Sequence, residues 1–204
     1  MEPFRYILFS LFLMTSSSQS TTDNFVIPNT TVRSNSRKIV VLPLGKVSKM
    51  FIDETVARLK SYIPTIELRK AEPMPSIAYY KPRSRYRADK LLSWLQNRTA
   101  QNETWVGITM NDISTTKGIY HDYGVMGLGR CPGSTCVASN FRLKQKKYFY
   151  KVVIHELGHT TGLPHCSVKT CFMTDADGGD PTARETDFCV KCKRHLINQG
   201  WSLK

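Results

Sequence analysis

No apolar run in this sequence is long enough to cross a bilayer. The best candidate, YILFSLFLM, covers only residues 6–14, where a spanning helix needs about twenty residues, so stable membrane insertion is not expected. Acidic residues are scarce as well: 16 stand against 29 lysines and arginines, for a formal net charge of +13. The basic residues are spread along the chain and densest at KPRSRYR (81–87) and KQKK (144–147), which reads as a solvated basic surface. An anionic partner is the sharper reading of that charge. The chain lacks a groove-reading motif and any repeated interleaving of aromatic and basic residues, so no specific nucleic acid is expected. Internal repeats and low-complexity tracts are missing too. What remains at 204 residues, with 41% hydrophobic and 22% charged residues, is one globular domain large enough to fold without disulfides.

The apolar run at 6–14 has another use. Between MEPFR and TSSSQST it completes the three-part order of a secretory signal peptide. Residues 1–20 are expected to be that signal, 21–36 a polar linker and 37–204 the folded domain. A secreted or extracytoplasmic location (periplasm, cell surface or lumen) follows, and sequons at Asn29, Asn97 and Asn102 are compatible with it.

The β-branched stretch RKIVVLPLG (37–45) predicts a buried strand. SKMFIDETVARLKSYI (48–63) predicts a helix capped by Ser48, with Met50, Phe51, Val56, Leu59 and Ile63 at helical spacing. Further strands are expected at 65–71, 104–112, 124–130 and 135–143, and further helices at 87–96, from about 146 to 161, and from near Cys189. Alternation of strand and helix points to an α/β fold, a single domain with a mixed twisted sheet and the third helix packed beneath it.

That third helix carries HELGHTTGLPH, residues 155–165. Residues four apart share a helix face, so His155 and His159 can direct their rings at one ion. Glu156 lies beside the first of them and can reach a water on that ion without ligating it. In this arrangement Zn²⁺ lowers the pKa of its water and a carboxylate takes the proton during attack on a peptide carbonyl. His165 can join only if the chain turns back. Gly162, tolerant of the left-handed conformation that ends helices, and Pro164, which prevents resumption, allow it. Three neutral nitrogen ligands with an open fourth position describe a catalytic zinc site. His121 and His195 read as ordinary polar residues, although His121 is placed to line a cleft.

Six cysteines follow two patterns. Cys131 and Cys136 flank the turn CPGSTC, while Cys166 and Cys171 form C-x4-C and Cys189 and Cys192 form C-x2-C. The last four have the grammar of a closed zinc site, but in an oxidising compartment the same thiols would pair as disulfides. A redox reading of Cys189–Cys192 lacks the preceding strand it needs. DADGGD (175–180) reads as an acidic turn, since a calcium loop would carry a terminal bidentate glutamate that is missing at the usual place.

HELGHTTGLPHC-SVKT-CFM, continuing to FCVKCKRHL, resembles the archaemetzincin family of metzincin-type zinc metallopeptidases, whose long histidine motif runs directly into C-x4-C-x-M and later C-x2-C. VVLPLG and VMGLGR…SNFRL are similar as well. The spacing from Met173 to Cys189 is somewhat shorter than the family's, in a loop that can lose residues while its ends stay anchored; the signal-like N-terminus is a second departure. The resemblance implies a compact metzincin-like domain with a zinc-stabilised C-terminal subdomain. It implies His155, His159 and His165 on a catalytic zinc, Glu156 as general base, Met173 packed beneath the metal, and a second, structural zinc on Cys166, Cys171, Cys189 and Cys192. Cys131 and Cys136, left over, are then expected to form a disulfide. No oxyanion-stabilising residue is singled out. By analogy with metallopeptidases, an edge strand before the helix, 124–130 or 135–143, binds the backbone of a peptide or protein substrate. A monomer is expected. The competing reading is a catalytically silent two-zinc module that grips peptides or partners; a basic anion-binding protein with no need for zinc is a third.

Overall fold

The structure, a computed structural model, describes residues 37–203, so the expected signal peptide, the linker and the Asn29 sequon lie outside the described residues. In chain order the strands are β1 (Lys38–Leu44), β2 (Ile66–Leu68), β3 (Tyr79–Tyr80), β4 (Arg85–Arg87), β5 (Glu103–Thr109), β6 (Ile113–Lys117), β7 (Tyr120–Val125), β8 (Gly127–Gly129) and β9 (Thr135–Ser139). The helices are α1 (Lys49–Lys60), α2 (Ala88–Gln96), α3 (Phe149–Thr160) and α4 (Val190–Asn198).

A five-stranded sheet in the order β2-β1-β5-β9-β8 forms the frame. Its first four strands are parallel, and β8 runs antiparallel to β9 at the edge. Strand periodicity sends alternate residues to opposite faces. Ile39, Val41, Val106, Ile108, Cys136 and Ala138 face α1 and α3, and pack there with Leu59, Val153 and Leu157. Val40, Leu42, Leu44 and Trp105 point the other way and pack with Leu95 of α2. Helices therefore cover both faces, which is why β1 and β5 read as continuous apolar runs.

Local chemistry sets the helix ends. The Ser48 hydroxyl accepts the Phe51 N–H at 3.3 Å at the start of α1, whose last turn carries Arg58 and Lys60 against the C-terminal dipole. Phe51 stacks on Phe149 with ring centroids 5.0 Å apart, joining α1 to the start of α3. A 3₁₀ turn over Lys146–Tyr148 precedes α3, so the helix proper begins at Phe149, later than expected. Among the described residues no helix is long and apolar enough to cross a membrane.

Three departures matter for the site. A second sheet, β3-β4-β6-β7, was not expected. The expected strand at 124–130 is two: β7 ends in the second sheet at Val125, and the chain crosses at Met126 to enter the main sheet as β8. The strand at 104–112 stops at Thr109, whose hydroxyl donates to the Leu44 carbonyl at 2.9 Å and accepts the Asn111 N–H at 3.2 Å.

The expected Cys131–Cys136 disulfide is absent; both thiols are free. Cys136 is the second residue of β9 and its side chain enters the core beneath α3, where burial, with Glu156 nearby, pushes its thiol well above the usual range. Cys131 is exposed, its sulfur 3.4 Å from the Leu163 carbonyl. Proximity along the chain misleads because the pleat aims one thiol inward and the turn leaves the other outside.

Candidate metal centre and active-site cleft

The third helix ends as its sequence suggests. Gly162 takes φ +95°, its N–H bonds the His159 carbonyl at 2.9 Å, and Leu163 N–H bonds the Gly158 carbonyl at 3.3 Å. This is the paired bonding of a Schellman motif. It folds the chain back and brings His165 to the two helical histidines. The ligand atoms of His155, His159 and His165 all lie within 4.8 Å of one another.

The ring orientations are held from behind. His155 Nδ1 lies 2.7 Å from the Phe172 carbonyl, and His159 Nδ1 lies 2.7 Å from the Leu163 carbonyl. A carbonyl oxygen only accepts, so both Nδ1 atoms carry hydrogen, and a neutral ring then has a bare lone pair at Nε2. The two Nε2 atoms are 3.0 Å apart. Facing lone pairs at that distance repel unless a cation lies against them. Burial, aided by the neighbouring His159, pushes His155 down to about 3, so a proton does not serve there near neutrality. A metal cation fits this donor set.

Met173 is fully buried. A Cβ added to Gly158, between His155 and His159, would sit 2.5 Å from the Met173 sulfur, so Met173 packs directly under the histidine-bearing turn, as the resemblance implied. Glu156 is buried and faces β8. A Cβ on Gly127 would lie 2.6 Å from the Glu156 carboxyl carbon, and one on Gly129 would lie 2.7 Å from the Glu156 carbonyl oxygen. These glycines let the strand pass close over the helix. Burial pushes the Glu156 carboxyl up to about 8; a divalent cation beside it acts in the opposite direction.

The histidines and Glu156 line a cleft of about 680 Å³, together with Lys117, Tyr123, Pro181 and Thr182. His121 does not line this cleft; it lies on β7, exposed, its carbonyl accepting from Arg87. His195 on α4 sits with Nε2 2.9 Å from the Thr161 carbonyl, tying α4 to the end of α3.

The four cysteines also converge. Their sulfurs lie within 4.8 Å of one another, and Cys166 and Cys189 are 3.7 Å apart, far beyond the roughly 2.05 Å of a disulfide. Backbone N–H groups of Met173 and Cys189 point at the Cys171 sulfur (3.5 and 3.3 Å), and that of Val168 points at Cys166 (3.5 Å). Burial alone would raise the Cys189 thiol, but hydrogen bonds from Cys192, Cys166 and Cys171 outweigh it and bring the group down to about 7. Such a set suits a tetrahedral metal.

The two clusters share one strip of backbone. Cys171 belongs to the thiol set, the Phe172 carbonyl holds His155, and Met173 lies under Gly158. The Met173 carbonyl also accepts the Cys166 N–H at 2.7 Å, one residue beyond His165. Sequence reading tied the thiols to His165 alone and missed the tie to His155, because a main-chain carbonyl leaves no side-chain signature. It also missed Asp175. DADGGD is the acidic turn expected, its carboxylates committed separately. Asp180 accepts from the Lys144 and Thr182 N–H groups at 2.9 and 3.1 Å, while Asp175 Oδ2 lies 3.0 Å from His165 Nδ1.

The profile of Peptidase family M54 matches residues 46–198. An archaemetzincin of Methanopyrus kandleri is 31% identical over 153 residues, covering 71% of this chain and 85% of its own length. One from Halobacterium salinarum is 29% identical over 181 residues, covering 78% and 99%. The crystal structure of the M. kandleri archaemetzincin aligns with a TM-score of 0.68 at 26% identity, over 82% of this chain and 98% of that one. That of the Archaeoglobus fulgidus archaemetzincin, complexed with malonate, aligns with a TM-score of 0.66 at 25% identity, over 78% and 99%. The mixed α/β fold is shared with both. With three-quarters of its length inside the family profile and the histidine and cysteine clusters assembled in space, this chain belongs to Peptidase family M54, the archaemetzincin zinc metallopeptidases.

Proposed function

We propose that His155, His159 and His165 hold the catalytic zinc, that Glu156 is the general base of peptide hydrolysis, and that Cys166, Cys171, Cys189 and Cys192 hold a second, structural zinc. The observation that carries the first part is the pair of Nε2 atoms 3.0 Å apart with both Nδ1 atoms committed to carbonyls. Zinc there supplies Lewis-acid polarisation of water and of the scissile carbonyl. Glu156 accepts the proton of the attacking water at a carboxylate oxygen and delivers it to the leaving amine. It is buried, with the glycines of β8 passing close over it and Cys136 nearby.

Among the described residues β8 pairs only with β9 in the main sheet, which leaves its other edge unpaired there. That edge, and not the interior β9, is the one offered to an extended peptide or protein backbone. The order of residues 1–36 supports export of a catalytic domain spanning 37–204.

Metal analysis tests the reading. Purified protein is expected to carry about two zinc ions per chain, and His159→Ala about one. Chelation of the more labile ion is expected to stop cleavage of a mixed peptide library. A His159→Ala protein that keeps its full zinc content would sink the histidine site.

The two glycines of β8 make a second test. Gly127→Ala pushes on the mobile end of Glu156, so turnover is expected to fall by about 10²-fold while the melting temperature stays near wild type. Gly129→Ala meets the backbone carbonyl of Glu156, which cannot move aside, and is expected to lower the melting temperature instead. Wild-type turnover in Gly127→Ala would show that the carboxylate does not work from this position.

A further inference from the structure

The three histidines of the cluster are not held alike. His155 and His159 stand on a helix, and each is held by a main-chain carbonyl, of Phe172 and Leu163, at 2.7 Å. His165 follows the helix and is the exposed member of the three. Its Nδ1 faces a side chain, Asp175 Oδ2, at 3.0 Å.

Asp175 is itself set in place. Its Oδ1 accepts the Asp177 N–H at 2.9 Å, closing a turn in which Asp177 and Gly178 take φ +48° and +78°. A Cβ on Gly178 would lie 3.0 Å from the Tyr123 hydroxyl, so the turn rests against Tyr123 of β7. A parallel bridge between Cys166 and Thr174 lays the two segments side by side, with His165 and Asp175 each one residue from the bridge. One carboxylate oxygen therefore holds the loop and the other holds the ring.

We infer that Asp175 is a positioning residue for the third zinc ligand: its carboxylate fixes His165 as the Nδ1–H tautomer, aims Nε2 at the metal, and strengthens that nitrogen as a donor. The inference rests on the zinc-binding reading above. Its physical basis is general. A ligating imidazole needs its other nitrogen occupied, and an anionic acceptor makes the imidazole a stronger base than a carbonyl does. His165, with neither a helix nor burial to fix it, depends on that partner more than the other two do.

Asp175→Asn separates this role from loop structure. Asparagine keeps an oxygen for the Asp177 N–H but loses the anionic oxygen facing His165. The measurement is the affinity of the full zinc-loaded chain for its histidine-site zinc, by competition with a chelator of known strength; the ion lost in His159→Ala identifies which of the two zincs is followed. Asp175→Asn is expected to weaken that zinc about tenfold or more, while in a His165→Ala background the same change should alter affinity by less than about twofold. Nitrogen NMR of the His165 ring offers a second readout, with the Nδ1–H tautomer of the wild type lost or mixed in the variant. Wild-type zinc affinity in Asp175→Asn, or an equal loss in both backgrounds, would overturn the assignment. If His159→Ala removes no zinc, the failure belongs to the zinc site and not to Asp175.

Discussion

Glu156→Gln is expected to keep its fold and both zinc ions and to lose peptide cleavage by roughly 10²–10⁴-fold, the range of a general base. The reasoning begins with burial. Glu156 is 6% exposed, and burial pushes its carboxyl up to about 8. A carboxylate whose charge is disfavoured where it sits contributes little to holding the fold, so an isosteric neutral amide in its place is tolerated. Its spacing to the metal ligands is set by α3 and is unchanged by the substitution. What glutamine lacks is a basic oxygen to take the proton from water. The separation of effects is the point of the test. Zinc content, melting temperature and turnover of a fluorogenic peptide are measured on one preparation, and only turnover should move. Turnover within about threefold of wild type would remove Glu156 from the chemistry. A large fall in melting temperature would show that the carboxylate has structural partners.

Much of the site was legible because its signals are local. A helix period, a glycine at a helix end and fixed ligand spacings are properties of short stretches, and α3 with its Gly162 turn follows them. Long buried strands are legible for the same reason; β1 and β5 are seven residues each with six buried. The second sheet was not. β3 has two residues and β4 three, too short for any alternation to emerge, and β4 pairs in parallel with β6 across a span of chain that no local pattern records. Cys131 and Cys136 show the opposite failure. Their closeness in sequence suggested a bond that the inward turn of β9 prevents. Asp175 and Phe172 act on the histidines through oxygens whose only sequence trace is that they lie within two residues of Met173.

Cys192→Ser is expected to lose the structural zinc and, unlike an ordinary core truncation, the catalytic zinc with it. Cys192 is buried in the first turn of α4 and, with Cys189, joins the thiol cluster from beyond the long 174–188 connection. Apparent binding energies of structural zinc are about 10–16 kcal/mol in small zinc domains. In a domain with its own apolar core only part of that is felt, and an estimate of about 3–5 kcal/mol corresponds to a fall of roughly 10 °C in melting temperature. The more telling effect is the second one. Without the thiol cluster, the strip Cys171–Phe172–Met173 loses its anchor. The Phe172 carbonyl then no longer fixes His155 Nδ1, and the Met173 sulfur no longer braces Gly158. Leu196→Ala provides the comparison. It lies on the same helix and is fully buried, and Leu→Ala substitutions in cores cost about 2–5 kcal/mol, a similar loss that removes no sulfur and no histidine nitrogen. At a temperature where both variants remain folded, Leu196→Ala should hold two zinc ions and cleave near the wild-type rate, whereas Cys192→Ser should hold less than one and cleave little. Equal activity in the two would mean that the thiol cluster stabilises the domain without organising the histidines. The geometry argues otherwise, because the chain leaves the histidine cluster at His165, enters the thiol cluster at Cys166, and returns from Cys171 to set the Phe172 carbonyl 2.7 Å from His155 Nδ1.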